Sequence, residues 1–324
     1  MKRFFACALV TVAASNAQAV VINTAGVYTF DSVVDEIIVD SSLNTEDVMI
    51  NVIAGGVVNG DIVCSGVSSP CDFRVTVSGN GNVMGRIRGP GAQINILDTA
   101  HVGFAGVQSN DGGRITVGGS ANLGTLTGAG SGVVGRFEIN GGFIDSVIAG
   151  PQLLIMDMNG GIIDDNLSSW GMRLDMRGGD ILGDVRSQDA LMRFEMRGGH
   201  ISGDLLGDEG MQGFIVGGSI DGDLRARVGG VFDISGGQFG TGSSLWSLGG
   251  AQIMNVHGRD LTLTGANLTG YLLDGSWLDV DVSFTPTFSG QLNLLNVPEP
   301  GTLAIFGVGL LGAFVARRKR IAGR

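Results

Sequence analysis

The chain has 324 residues, 57 of them glycine, with 20 Lys/Arg against 31 Asp/Glu and a formal net charge of −11. A surface this acidic repels phosphate backbones, which excludes nucleic acid as a partner and disfavours anionic lipid. Glycine stands at more than twice its usual ~7%, yet only six prolines accompany it, so the chain is not a low-complexity Pro/Gly polymer.

At the N-terminus, Lys2 and Arg3 precede the apolar stretch 4–14, and Ala17-Gln18-Ala19 supplies small residues flanking one position. Basic, apolar and small-x-small segments in that order describe a secretory signal peptide over residues 1–19. Ala17 and Ala19 are then the processing residues and Val20 starts the mature chain. Residues 20–47, acidic in the stretch DSVVDEIIVD, are expected to cap a repeat array, which otherwise ends in an open strand edge.

Cys7 leaves with the leader, so the body keeps Cys64 and Cys71. An even pair in an oxidising compartment predicts a disulfide closing a small loop; the alternative is two free thiols. No Cys-x-x-Cys pair occurs, and His101, His200 and His257 stand apart in sequence. No metal site and no cofactor are expected.

Gly-Gly pairs begin at positions 141, 160, 178, 198, 217 and 236. A period near 19–20 residues is the mark of a solenoid. Three positions after each first glycine stand Ile144, Ile163, Ile181, Ile201, Ile220 and Phe239; two before it stand Ile139, Met158, Met176, Met196, Ile215 and Ile234. A third apolar column seven after reads Ile148, Leu167, Val185, Leu205 and Leu224, and fails at Ser243. Around Arg193-Phe194-Glu195-Met196-Arg197, polar and apolar residues alternate with the strand period of two. Glycines such as Gly198 are expected to turn the chain between strands, at positive φ. The predicted fold is therefore all-β: a single-stranded parallel β-solenoid (β-helix) with its repeats over residues 48–270. At this period the chain holds about 12 coils, a rod of roughly 55–60 Å. An antiparallel sandwich is the rival, but sandwich strands need not repeat residue types in register. Residues 271–296, with Trp277, are the expected C-terminal cap and linker.

Polar columns also repeat. Asp184, Asp204 and Asp223 stand six after their Gly-Gly, with Asn166 in the same place one coil earlier and Asp61 in a looser early coil. Stacked about 4.8 Å apart, like charges repel by roughly 1 kcal/mol even in bulk water. A calcium ladder would answer this, but solvated Gly-Asp turns are the simpler reading. Arg136, Arg173 and Arg193, with Arg177 and Arg197, interleave with Glu138, Asp157, Asp175, Glu195 and Asp233, as in a solubilising salt-bridge lattice. Trp170 and Trp246 are the sugar-stacking candidates, with core filling the plainer role for each.

The last segment, residues 297–324, contains Pro298-Glu299-Pro300, the uncharged run 301–316 and the basic cluster Arg317, Arg318, Lys319 and Arg320. Sixteen uncharged residues come just short of the roughly 17–25 that span a bilayer, and snorkelling end residues make up the difference. The basic cluster is the membrane stop and stays cytoplasmic, which places the body outside. The order of parts resembles the PEP-CTERM sorting signal, over residues 297–324 only. That resemblance implies an exosortase-type membrane protease and the secretion machinery as partners, with processing at Pro298, Glu299 and Pro300. It also implies export, inner-membrane anchoring through the helix at 301–316, and then a cell-surface or extracellular location.

With no lysine in the body and no focused constellation of acid, base or nucleophile, no catalytic residue is assigned and no enzyme is expected. The expected function is that of a structural or adhesive protein of the envelope or exopolysaccharide matrix, with exopolysaccharide as a further partner. The alternative is a polysaccharide-binding or polysaccharide-modifying β-helix enzyme.

Overall fold

The computed structural model describes residues 9–11, 18–42, 47–65, 71–110, 112–128, 135–150, 154–187, 193–207, 210–248, 252–284 and 290–297. Short strands succeed one another along these residues with no α-helix among them. Along the rod the strands pair in parallel with their copies one coil on, as Leu174 with Phe194 and Met176 with Met196, then Met196 with Ile215. Three strands complete a turn, so three parallel sheets run along the rod. The first contains Arg193–Met196, the second His200–Ile201 and the third Leu205–Gly207.

The pleat explains the burial. In Arg193–Met196, Phe194 and Met196 are buried while Arg193 is exposed, because successive side chains point to opposite faces. The inward side chains of the three sheets form one continuous core along the axis. The first sheet contributes Ile139, Met158, Met176, Met196, Ile215 and Ile234; the second contributes Ile144, Ile163, Ile181, Ile201 and Ile220. Volume is shared between coils: Gly213 pairs with Phe194 on one side and Phe232 on the other. A Cβ at Gly213 would strike the Phe232 ring.

The positive-φ residue of each pair is the second glycine rather than the first. Gly199 has φ +88° and Gly198 does not. A Cβ on Gly199 would stand 2.6 Å from the Gly179 carbonyl oxygen of the coil before. This turn links the first sheet to the second and repeats at each pair.

The third core column differs from the sequence reading at both ends. Ile148 is half exposed, and Val147 is the buried residue that pairs with Leu126 and Leu167. At the other end Leu245, not Ser243, pairs with Leu224. The turn between the second and third sheets varies in length: residues 145–146 in the first of these coils, 164–166 in the next. A fixed offset from Gly-Gly therefore loses register.

Among the described residues the rod has about ten turns, slightly fewer than the 12 expected. Its early coils are longer than 20 residues, with first-sheet strands starting at Gly26, Val48 and Arg74. The chain also leaves the spiral before its end. After Ile253 to Gly258 it folds into antiparallel strands with Asn267–Leu272 and Trp277–Phe284. It then returns as a last rung, Gln291–Asn296, beside Ile253 to Gly258. Residues 20–39, within the segment 20–47 expected as a separate cap, lie in the stack: Gly26–Phe30 pairs with Val48–Val52 and Ile37–Val39 with Ile62–Cys64. Leu9–Thr11 pairs with Val27, Tyr28 and Thr29. The rest of residues 1–17, including Ala17, lies outside the described residues.

Candidate functional site

The aspartate column sits in the turns that lead into the third sheet. There the backbone amides need acceptors that no strand supplies. Asp184 N–H donates to Asn166 Oδ1 (2.6 Å), Asp204 N–H to Asp184 Oδ1 (2.8 Å), Asp223 N–H to Asp204 Oδ1 (2.7 Å) and Ser244 N–H to Asp223 Oδ1 (2.8 Å). Asp61 does the same for Arg86 N–H at 2.8 Å. Each side chain thus caps the coil that follows.

The remaining charge is met by arginine. Arg225 Nη2 lies 3.1 Å from Asp204 Oδ2 and 2.9 Å from Asp223 Oδ2. The hydrogen bond to Asp223, helped by the fields of Asp204 and Asp184, raises the guanidinium pKa above its ordinary value. The Trp246 ring lies 5.8 Å from the same guanidinium. The repulsion expected of stacked aspartates is therefore offset by backbone amides and Arg225. No group of three or more His, Cys, Asp or Glu side chains among the described residues is arranged to hold a metal ion.

This geometry predicts that Asp204→Ala, which strands the Asp223 amide and one side of Arg225, lowers stability by about 1–3 kcal/mol. Asp204→Asn keeps the Oδ1 acceptor and loses only a half-buried ion pair, about 1 kcal/mol. Calcium is expected to leave the melting temperature of the parent unchanged. Guanidinium titrations of the three proteins check the ordering, and an Ala variant as stable as the parent would show that the ladder contributes nothing.

The outer face of the first sheet carries the charged lattice. Arg114 pairs with Glu138 and Arg136 with Asp157, each across one coil boundary. Asp175, only 5% exposed, is held between Arg177 Nη2 at 2.6 Å and Arg197 Nη1 at 2.9 Å. Arg197 also meets Glu195 at 2.5 Å, and Arg193 lies over the Phe214 ring at 4.8 Å. Hydrogen bonds from Arg114 and then Asn140 hold the Glu138 carboxyl below its ordinary pKa. The row continues in amides, with Asn255 donating to Asp233 Oδ1 and Asn293 to Asn255 Oδ1, both at 2.8 Å.

Cys64 and Cys71 are joined by a disulfide with a Cα separation of 6.5 Å, and Cys71 is fully buried. His200 Nε2 lies 2.9 Å from Asp221 Oδ2 and His257 3.5 Å from Asp233 Oδ1, while His101 is exposed. Neither Trp170 nor Trp246 fills the core. Trp170 is half exposed, and Trp246 lies in the strand Ser244–Leu248, half-buried on the outer surface beside Arg225. The outward phase of the strand, invisible once register slips, puts Trp246 outside.

Near the C-terminal end, the turn 273–276 folds back on the glycine row. Asp274 Oδ2 accepts Gly237 N–H at 2.7 Å, and Ser276 Oγ donates to Gly237 O at 2.6 Å. Burial pushes the Asp274 pKa up, but the hydrogen bonds from Ser276 and Gly237 together bring it below its ordinary value. A polar cleft of about 560 Å³ lies here, lined in part by Ser219, Gln238, Asp274 and Ser276. Sequence reasoning missed it, because the turn and the glycine row meet only through the antiparallel excursion.

A parallel β-solenoid with a ladder of capping aspartates and a charged outer face defines the class of the body. Residues 296–320 match the PEP-CTERM protein-sorting motif. Such a sorting signal implies an exported protein processed by an exosortase. Comparison with curated proteins and with solved structures gave no match. Pro298, Glu299 and Pro300, the run 301–316 and the stop Arg317, Arg318, Lys319 and Arg320 lie outside the described residues.

Proposed function

We propose that this chain is a structural or adhesive protein of the cell envelope or exopolysaccharide matrix, exported under a signal peptide at residues 1–19 and sorted by its tail. The observation that carries this reading is the sorting motif at 296–320 directly after the last rung of the rod, Gln291–Asn296. Among the described residues, cleavage after Ala19 would take only the strand Leu9–Thr11 from the stack and leave Gly26–Phe30 as its first full rung. The tail helix at 301–316 holds the chain in the inner membrane with the body outside, until an exosortase acts near Pro298-Glu299-Pro300. The mature rod, with its hydrogen-bonding groups distributed along regular faces, then suits many weak contacts with exopolysaccharide rather than one reaction, and we assign it no catalysis. The polar cleft beside Asp274 favours a second reading, a polysaccharide-binding solenoid. Binding abolished by Asp274→Ala, with the rod surface otherwise unchanged, distinguishes that reading.

Glu299→Ala tests the sorting step. The variant is expected to stay full length in the inner-membrane fraction, while the parent appears shortened at the cell surface or in the medium. Normal release of the variant, read by immunoblot of the fractions, would overturn the assignment.

A further inference from the structure

Where the chain leaves the rod, four neighbouring strands of one sheet bring four residues into a row. Val297 N–H donates to Gly258 O at 2.8 Å, which sets Val297 beside Arg259. Arg259 is paired with Tyr271, and Tyr271 with Trp277. Paired residues point to the same side of a sheet, and here that side is the outside. Val297 is 44% exposed, Tyr271 42% and Trp277 53%, and Leu295, paired with His257 on the same side, is 42% exposed. The two rings meet edge to face at 4.9 Å between centroids, and the Arg259 guanidinium lies 6.0 Å from the Tyr271 ring. The core beneath is already complete: Leu268, Leu272, Leu278 and Val280, on the other side, are buried.

We propose that this aromatic row rests on the lipid interface while the chain is still anchored, seating the end of the rod on the membrane. The proposal rests on the reading of residues 301–316 as a membrane helix. Only residues 298–300 separate Val297 from that helix, and an extended chain of this length reaches no more than about 14 Å. The row therefore starts no more than about 14 Å from the hydrocarbon boundary, in or just above the headgroup region, which adds roughly 5–8 Å on each side. Tyr and Trp side chains are suited to that layer, with an apolar ring on one side and a polar group on the other, and an arginine beside them meets the phosphates. Asp279 and Asp281 follow Trp277 on the same face, beside Thr269 and Asn267, so the face carries carboxylates as well and does not suit anionic lipid. The contact is thus aromatic rather than charge-driven, and zwitterionic lipid is the surface it fits. Seating the rod in this way would hold residues 298–300 at one height above the bilayer, where a membrane-embedded protease reaches them.

The test uses the full chain in phosphatidylcholine bilayers whose acyl chains carry bromine, a short-range quencher of tryptophan. In a Trp170→Phe/Trp246→Phe chain, Trp277 is the only tryptophan, and it is expected to lose most of its emission relative to unbrominated lipid. In a Trp246→Phe/Trp277→Phe chain, Trp170 sits in mid-rod and keeps its emission. If Trp246→Phe disturbs the fold, the single change Trp277→Phe in the otherwise intact chain must abolish the quenchable fraction. Resistance of the tail to carbonate extraction is measured in parallel. An inserted tail with Trp277 unquenched, whether the row faces water, a second copy or polysaccharide, overturns the lipid contact and leaves the sorting reading intact. A tail that fails to insert overturns both.

Discussion

Ile201→Asp is expected to destabilise the rod by about 3–5 kcal/mol at neutral pH, enough to unfold the coils around it. Ile201 is fully buried, with Ile181 as its rung partner on one side and Ile220 on the other. A carboxylate there has neither water nor a cation. Its folded-state pKa would rise above the unfolded value near ~3.9, so the penalty is smallest below about pH 4 and grows as pH rises. Two neighbouring substitutions test the register independently. Val147→Asp should behave like Ile201→Asp, because Val147 is fully buried, whereas Ile148→Asp, at a side chain 50% exposed, should change stability by about 0.5 kcal/mol. Chemical denaturation followed by circular dichroism reads all three. A stable Ile201→Asp protein, or a reversed order of the other two, would show that the columns are misplaced.

Gly199→Val is expected to cost more than about 3 kcal/mol, from two sources that a control can separate. Forcing a side chain into the left-handed region costs roughly 1–2 kcal/mol, more for a β-branched one. The second source is stacking: the new Cβ would lie 2.6 Å from Gly179 O, a carbonyl that the parallel sheets hold in place. Gly242 has nearly the same backbone, φ +86°, but a Cβ added there would meet nothing within 4 Å. Gly242→Val should therefore show the conformational cost alone. Equal melting temperatures for the two variants would mean that the coils do not press on each other through this row.

The repeat was legible in the sequence because its cause is local and periodic. An inward residue two before each Gly-Gly and another three after it must be apolar in every coil, and Ile139 to Ile234 and Ile144 to Ile220 are buried as that demands. The third column was legible only where the intervening turn kept its length, which is why Ile148 stood in for Val147. The aspartate column was visible as a column, but its partners were not. A sequence places Asp204 above Asp184, yet whether a carboxylate faces an ion, water or an amide depends on how the turn is oriented. Here the Asp223 amide and Arg225 take it.

Parallel stacking follows from the amino-acid order, since only stacked coils require the same residue type at one register. The succession of sorting tail after rod follows from it too, because both are contiguous signals. Which side of each turn faces inward, and how the rod ends, emerge only in the folded chain. Arg259 meets Tyr271, and Tyr271 meets Trp277, only because the chain reverses direction twice after Gly258. That reversal breaks the period, and with it the single rule by which distant residues could be aligned from their spacing.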